Sequence, residues 1–212
     1  MTRTLFALAL AAASLSAQAA ATKITVFKTS FDNGIPAQIA PGTAATEGVQ
    51  GYAGLAYGKR VFGGQMLRSA TGNVVTLTLT DLPAHRHLGI DFLFAAIDSL
   101  DGTGTFPSGD FLNVEVDGVS VFRESFANAT ESQVQSYQPS KPGFVLARRV
   151  DLGFSQGTYY LDSAYWLGGE PRLKRIAHTA SSAVITFRIE GEGIQDLNDE
   201  SWGMDALKVV VW

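Results

Sequence analysis

Residues 74–80 read VVTLTLT, and this alternation most limits what the chain can become. Successive side chains of an extended strand point to opposite faces, so Val75, Leu77 and Leu79 share one face while Thr76, Thr78 and Thr80 share the other. That is the pattern of a half-buried antiparallel strand. Residues 183–190, AVITFRIE, repeat it with Ala183, Ile185, Phe187 and Ile189 inward. Residues 88–97, LGIDFLFAAI, are more continuously apolar, as a central strand covered on both faces would be.

The run FLNVEVDGVSVFRESF (111–126) reads as two strands around an Asp117-Gly118 turn, because a two-residue type I′ turn needs positive φ and Asp-Gly supplies it. Further strands are expected at 22–31, 143–150, 157–161 and 205–212, with short helical turns near Gln65–Ser69 and Pro171–His178. Many short strands separated by Gly, Asn, Asp and Pro predict an all-β fold, a two-sheet antiparallel β-sandwich of the jelly-roll, lectin-like kind. Residues 33–73 are glycine-rich and read as a long surface connection with one or two strands of their own.

The chain begins MTRTLFALALAAASLSAQAA: a basic residue, an uncharged apolar stretch, then small residues in an A-x-A pattern. This is the layout of a secretory signal peptide over residues 1–19, leaving 20–212 as one exported domain, periplasmic or secreted. The apolar stretch is too short to span a bilayer, and no later segment is long enough. With no Cys there are no disulfides, so an exported domain must be held by its core, helped in one reading by an ion. A net charge of −4 argues against nucleic acid as a partner, since phosphate binding needs concentrated Lys and Arg.

Enzyme signatures are sparse. There is no G-x-S-x-G nucleophile elbow. Glu115 and Asp117 begin an E-x-D-x-E spacing that Val119 breaks, and Asp117 is already accounted for by its turn. His85 and His87 alternate in direction and make a poor chelating pair, and His178 stands alone in the sequence.

Hard-oxygen chemistry is better represented. Calcium takes six to eight oxygens from carboxylates, carbonyls and water, and glycine lets the backbone wrap closely. Asp98, Asp101 and Asp110 sit in one glycine-broken loop, and Asp196, Asn198 and Glu200 alternate in DLNDESWGMD. Neither stretch has EF-hand spacing, and both could simply be turns. For sugar binding, aromatic faces are the requirement. Tyr52 and Tyr57 in the glycine-rich segment, and Tyr159, Tyr160, Tyr165 and Trp166 in TYYLDSAYWLGG, are the candidates, with core packing as the alternative.

Three runs together, TLTDLPAHRHLGIDFLFAAIDSLDG, GDFLNVEVDGVSVF and DESWGMDALKV, resemble a family of secreted bacterial β-sandwich proteins often found with a PEP-CTERM sorting tail. In that family an ID-S-W-D-G motif follows a central strand, and E-S-W-G-[LI]-D-N leads into the last one. Here Leu100 replaces the first Trp, Met204 and Ala206 depart from the second motif, and the sorting tail is absent. The closing W-G-x-D is also similar to the ends of MAM-type and lectin-like jelly rolls, where an acid beside the last strand helps bind a structural calcium. That likeness implies Asp205 as a ligand, with Asp32 as a partner if first and last strands pair.

The expectation is an exported, non-enzymatic module binding carbohydrate or a cell-surface or matrix polymer. A structural calcium would be held by Asp98, Asp101 and Asp110 on one wall and by Glu200 with Asp205 on the other. The alternatives are a self-associating matrix or envelope protein and, less favoured by these residues, a polysaccharide-degrading enzyme.

Overall fold

The computed structural model describes residues 22–103, 109–154 and 161–212. The leader at 1–19 and most of the strand expected at 157–161, with Tyr159 and Tyr160, lie outside them. In chain order the strands are β1 (Ile24–Thr29), β2 (Ile39–Ala40), β3 (Ala45–Gly48), β4 (Ala56–Tyr57), β5 (Arg60–Val61), β6 (Gln65–Ala70), β7 (Val75–Leu79) and β8 (His87–Asp98). They continue with β9 (Phe111–Val116), β10 (Val119–Ser125), β11 (Val145–Val150), β12 (Asp162–Trp166), β13 (Ile176–Ala177), β14 (Ala183–Glu190) and β15 (Glu200–Val211). One short helix, α1, covers Pro171–Lys174.

The strands form a two-sheet antiparallel β-sandwich. Sheet A runs β11-β12-β8-β15-β6-β3, with β1 also on β15 and β13 also on β8; sheet B runs β10-β9-β14-β7-β2. The chain passes from sheet to sheet at β1–β2–β3, at β6–β7–β8–β9, at β10–β11 and at β13–β14–β15, and each sheet buries one face against the other. Phe92, Phe94, Trp202 and Met204 of sheet A meet Leu77, Val114, Ile185 and Phe187 of sheet B in this core. The alternation of 74–80 and 183–190 appears directly as β7 paired with β14. The β9–β10 hairpin turns through Asp117 (φ 51°) and Gly118 (φ 78°), with Val116 opposite Val119.

Sheet A is also covered on part of its outer face. Tyr52 and Phe62 from segment 49–62, with Leu152 and Phe154, pack on Leu93, Ala95, Ile97 and Met66. This double burial explains the continuous apolar run of β8. It also explains why 65–69 looked helical: Met66 belongs to the outer cluster and Leu67 to the inner core, so consecutive apolar residues mark a two-sided strand. The helical turn expected there is corrected to β6, paired with β15 and β3. The turn expected over 171–178 is limited to α1, where Glu170 accepts from Arg172 N, and the chain then joins β8 through β13. The strand expected from 143 begins at Val145, after a 3₁₀ turn at Pro142–Phe144.

Strand β15 organises the site. Its first half pairs with β6 and its second half with β1, while β8 lies along its other side. Between Asp205 and Lys208 the register shifts by a β-bulge, with Ala206 at φ 50°. An extra residue in one strand reverses its facing phase. The inward set therefore changes from Trp202 and Met204 to Leu207, Val209 and Val211.

Candidate metal centre and outer-face groove

Three carboxylates meet at one end of the sandwich. Asp101, Asp110 and Glu200 each place an oxygen within 4.8 Å of the other two, and all three are buried. Asp101 sits just past β8, its backbone bridged to Ala127; Asp110 directly precedes β9; Glu200 opens β15 opposite Asp98. Pairing of β8 with β15 thus brings together side chains a hundred positions apart.

The donors around them are neutral. Asp101 Oδ1 accepts from Gln133 Nε2 at 2.6 Å, and Asp110 Oδ2 from the Asp101 N–H at 2.7 Å. Gln195 N and Nε2 donate to Glu200 Oε2 and Oε1 at 3.2 Å each. Asp110 Oδ1 is buried with no N–H donor among the described residues, and the Asp110 side chain shares a hydrogen bond with the Glu200 carboxyl. None of the three enters an ion pair with a described Lys, Arg or His, and residues 104–108, Gly-Thr-Phe-Pro-Ser, contain no basic side chain.

Burial without a counter-charge disfavours the ionised forms. Desolvation raises Asp101, with Gln133 opposing and Asp199 adding to the rise. Desolvation, then repulsion from Asp101, takes Asp110 up to about 6, against the pull of the Asp101 N–H. Desolvation, then Asp110 and Asp101, takes Glu200 up to about 9. Such a group can keep protons or take a cation. Oxygens sharing one calcium at about 2.3–2.6 Å lie no more than about 5 Å apart, a limit the trio meets. The buried trio could hold a metal ion.

The other two expected ligands, Asp98 and Asp205, are not among the three clustered acids. Asp98 adopts φ 62°, donates its N–H to Asp162 Oδ1 at 3.1 Å, and is not one of the three clustered acids. It lies near the Tyr52 hydroxyl, which burial first, then Asp162 and Asp98, hold well above its ordinary range. Asp205 is five residues beyond Glu200 in the opposite phase of β15. It accepts from Gly63 N at 3.1 Å, in the segment that covers the outer face, and from its neighbour Ala206 N. Desolvation raises it to about 7, opposed by those two N–H groups and assisted by Asp32. First and last strands do pair, and Asp32 and Asp205 are neighbours, yet they stand apart from the acid trio.

Two of the aromatic candidates are corrected as well. Tyr52 is fully buried and donates to Ala96 O; Tyr165 is fully buried and donates to Gln135 Oε1, packed by Phe94, Phe126 and Tyr137. Tyr52 lies in a 3₁₀ turn at Gln50–Tyr52, where alternation does not apply, and alternation alone could not tell which side of β12 was covered. Tyr57 and Trp166 are half-buried and stack on each other at 3.9 Å with an 8° interplanar angle, Phe144 set edge-on to both. His178, alone in the sequence, meets His85 at 2.7 Å and Asp117 Oδ2 at 3.1 Å.

Beside the Trp166 stack runs a groove that sequence reading missed. One hollow of about 860 Å³ opens beside the paired strands β1 and β15, lined by Lys28, Lys59, Arg60 and Lys208 among others. A second, of about 280 Å³, shares Arg60 and Lys208 with it and adds Asp91 and Trp166. Only knowledge of the β1–β15 pairing could have grouped these cations.

No protein-family model and no curated protein matches the chain. Among solved structures, it is similar to a family GH115 4-O-methyl-α-glucuronidase with specificity for decorated arabinogalactans, at 10% identity and TM-score 0.33, covering 95% of this chain and 19% of that one. It is also similar to the enzymatically active domain of bacteriophage CBA120 tailspike protein 4, at 8% identity and TM-score 0.32, covering 81% and 18%. The chain thus spans about a fifth of each of these proteins' length. Likenesses of this size say nothing about activity, and the functional reading comes from the chain's own residues.

Proposed function

We propose that the chain is an exported, non-enzymatic β-sandwich that binds a carbohydrate polymer of a cell surface or matrix and carries a structural calcium ion. The observation that carries this reading is the separation of its two polar features. The acid trio is buried, and none of its members lines the outer-face groove. Among the described residues the groove in turn is lined by a single carboxylate, Asp91, already held by Arg60 and by Trp166 Nε1. Glycoside hydrolysis in its usual form needs two carboxyl groups flanking the bond. A groove with one committed acid suits holding a polymer, and a buried acid cluster suits holding an ion that ties β8, the loop before β9 and β15 together.

Two measurements on the purified chain test this. Calorimetric titration with calcium should give a heat for the wild type that Glu200→Gln abolishes. Affinity electrophoresis through polysaccharide-loaded gels should retard the protein with no release of reducing sugar. Reducing-sugar release would show an enzyme, and no retardation together with concentration-dependent light scattering would show a self-associating structural protein.

A further inference from the structure

We propose that the outer-face groove of sheet A is a receptor for acidic polysaccharide, whose charge is carried by uronate carboxylates or sulfate esters. This deepens the binding reading above and rests on it. Five of the chain's six lysines, Lys23, Lys28, Lys59, Lys174 and Lys208, line the two joined hollows together with Arg60. The whole chain carries a net charge of −4, so this face runs against the overall balance.

Lys28 of β1 and Lys208 of β15 are direct cross-strand partners. Like charges directly opposite on a sheet repel; on its other side Lys208 faces Asp91 of β8, whose carboxylate is held by Arg60 and Trp166. None of the five lysines has a carboxylate within the 4.0 Å ion-pair distance among the described residues; the ion pairs there all use Arg or His. A row of ammonium groups, none of them in an ion pair, along two adjoining hollows fits a chain of anions.

The net charge of −4 disfavours nucleic acid as the polyanion, and the covered rings leave a sugar polymer to be held by charge and hydrogen bonds in place of ring stacking. Single strands are held by bases stacked on open aromatic faces. Here Trp166 is stacked on Tyr57, and Trp212 is packed by His87 with Lys23 above its ring. Charge, with hydrogen bonds from the three N–H donors of each ammonium, is what the groove offers.

The test is affinity electrophoresis and calorimetry of the full chain with polygalacturonate, its fully methyl-esterified form, dextran sulfate, duplex DNA and phosphatidylserine vesicles. Binding to polygalacturonate or dextran sulfate, weakened by raising NaCl from 50 to about 500 mM, is expected, and the stronger of the two identifies the anion. The Lys28→Gln/Lys208→Gln double variant should lose about tenfold or more in affinity while keeping a cooperative thermal transition, since neither lysine is in an ion pair. Lys141→Gln, the lysine outside the groove, should bind as wild type. Equal binding of the methyl ester would overturn the anionic assignment while leaving polysaccharide binding intact. Equal or tighter binding of DNA or vesicles would overturn it in favour of that partner, and binding of no polymer would overturn both readings.

Discussion

Calcium binding at the acid trio should release protons, and the number released follows from the site. In the cation-free protein Glu200 lies at about 9 and Asp110 at about 6, so near pH 7.5 Glu200 holds its proton and Asp110 is ionised. Metal ligation needs the carboxylates, so each calcium bound there should displace about one proton. Between about pH 6 and 9 the apparent Kd should then fall about tenfold per pH unit, or about 1.4 kcal/mol. Below about 6 it should change more steeply, as Asp110 also gives up a proton, and above about 9 it should level off. The sign for stability follows from the same shifts. Glu200 is raised above its ordinary value of 4.5, so its contribution is present below that pH and is lost as pH rises through about 9. The chelated protein should therefore lose stability across that interval, while calcium stabilises most at its alkaline end. At free calcium a hundredfold above Kd the gain is about 2.7 kcal/mol, which for a domain of this size is about 5–11 °C in melting midpoint. Titration in two buffers of different ionisation enthalpy counts the protons, and melting scans at pH 6 and 9 with calcium or chelator check the sign. Calcium binding without proton release, or a Kd independent of pH, would refute the assignment of the trio as its ligands.

Three substitutions probe the surrounding structure. Gly102 has φ 69°, and a Cβ there would overlap Val134 O and Ala127 Cβ, so Gly102→Ala should destabilise by about 1–3 kcal/mol by denaturant unfolding and weaken calcium binding in the same protein. Asp205→Ala leaves Gly63 N without its acceptor and should cost about 1–3 kcal/mol equally with calcium and with chelator; a loss confined to the calcium form would return Asp205 to the metal site. Asp117→Ala removes the acceptor of Val184 N (2.8 Å) and the partner of His178 Nε2, and should lower stability by about 1–2 kcal/mol in urea unfolding without changing calcium affinity.

What the sequence made legible was local. Alternation in 74–80 and 183–190 identified strands, and Asp117-Gly118 identified its hairpin, because each signal depends on neighbours within a few residues. Asp101, Asp110 and Glu200 could be shortlisted by their chemistry and their glycine-broken setting. Their meeting depends on which strand lies beside β8, and that is settled by packing of the whole sandwich. Tyr52 and Tyr165 failed as surface candidates for the same reason: Tyr52 belongs to the cover over the outer face of sheet A, built by segments 49–62 and 152–154 that carry no strong periodic signal, and Tyr165 faces the core between the sheets.

Asp98 and Asp205 show a finer limit, set by two backbone positions with positive φ. Extending strand parity from Glu200 puts Asp205 on the opposite face, and the bulge at Ala206 then lets Leu207 and Val209 return to the core while Lys208 stays outside beside Lys28. Without that bulge, residues beyond 205 would keep the earlier parity. Lys208 would then point into the apolar core, and Leu207 and Val209 would lie outside. One extra residue in β15 thus separates the chain's two polar features. It leaves Glu200 sealed with its acids at one end of the strand, and it turns Lys208 out to the groove at the other.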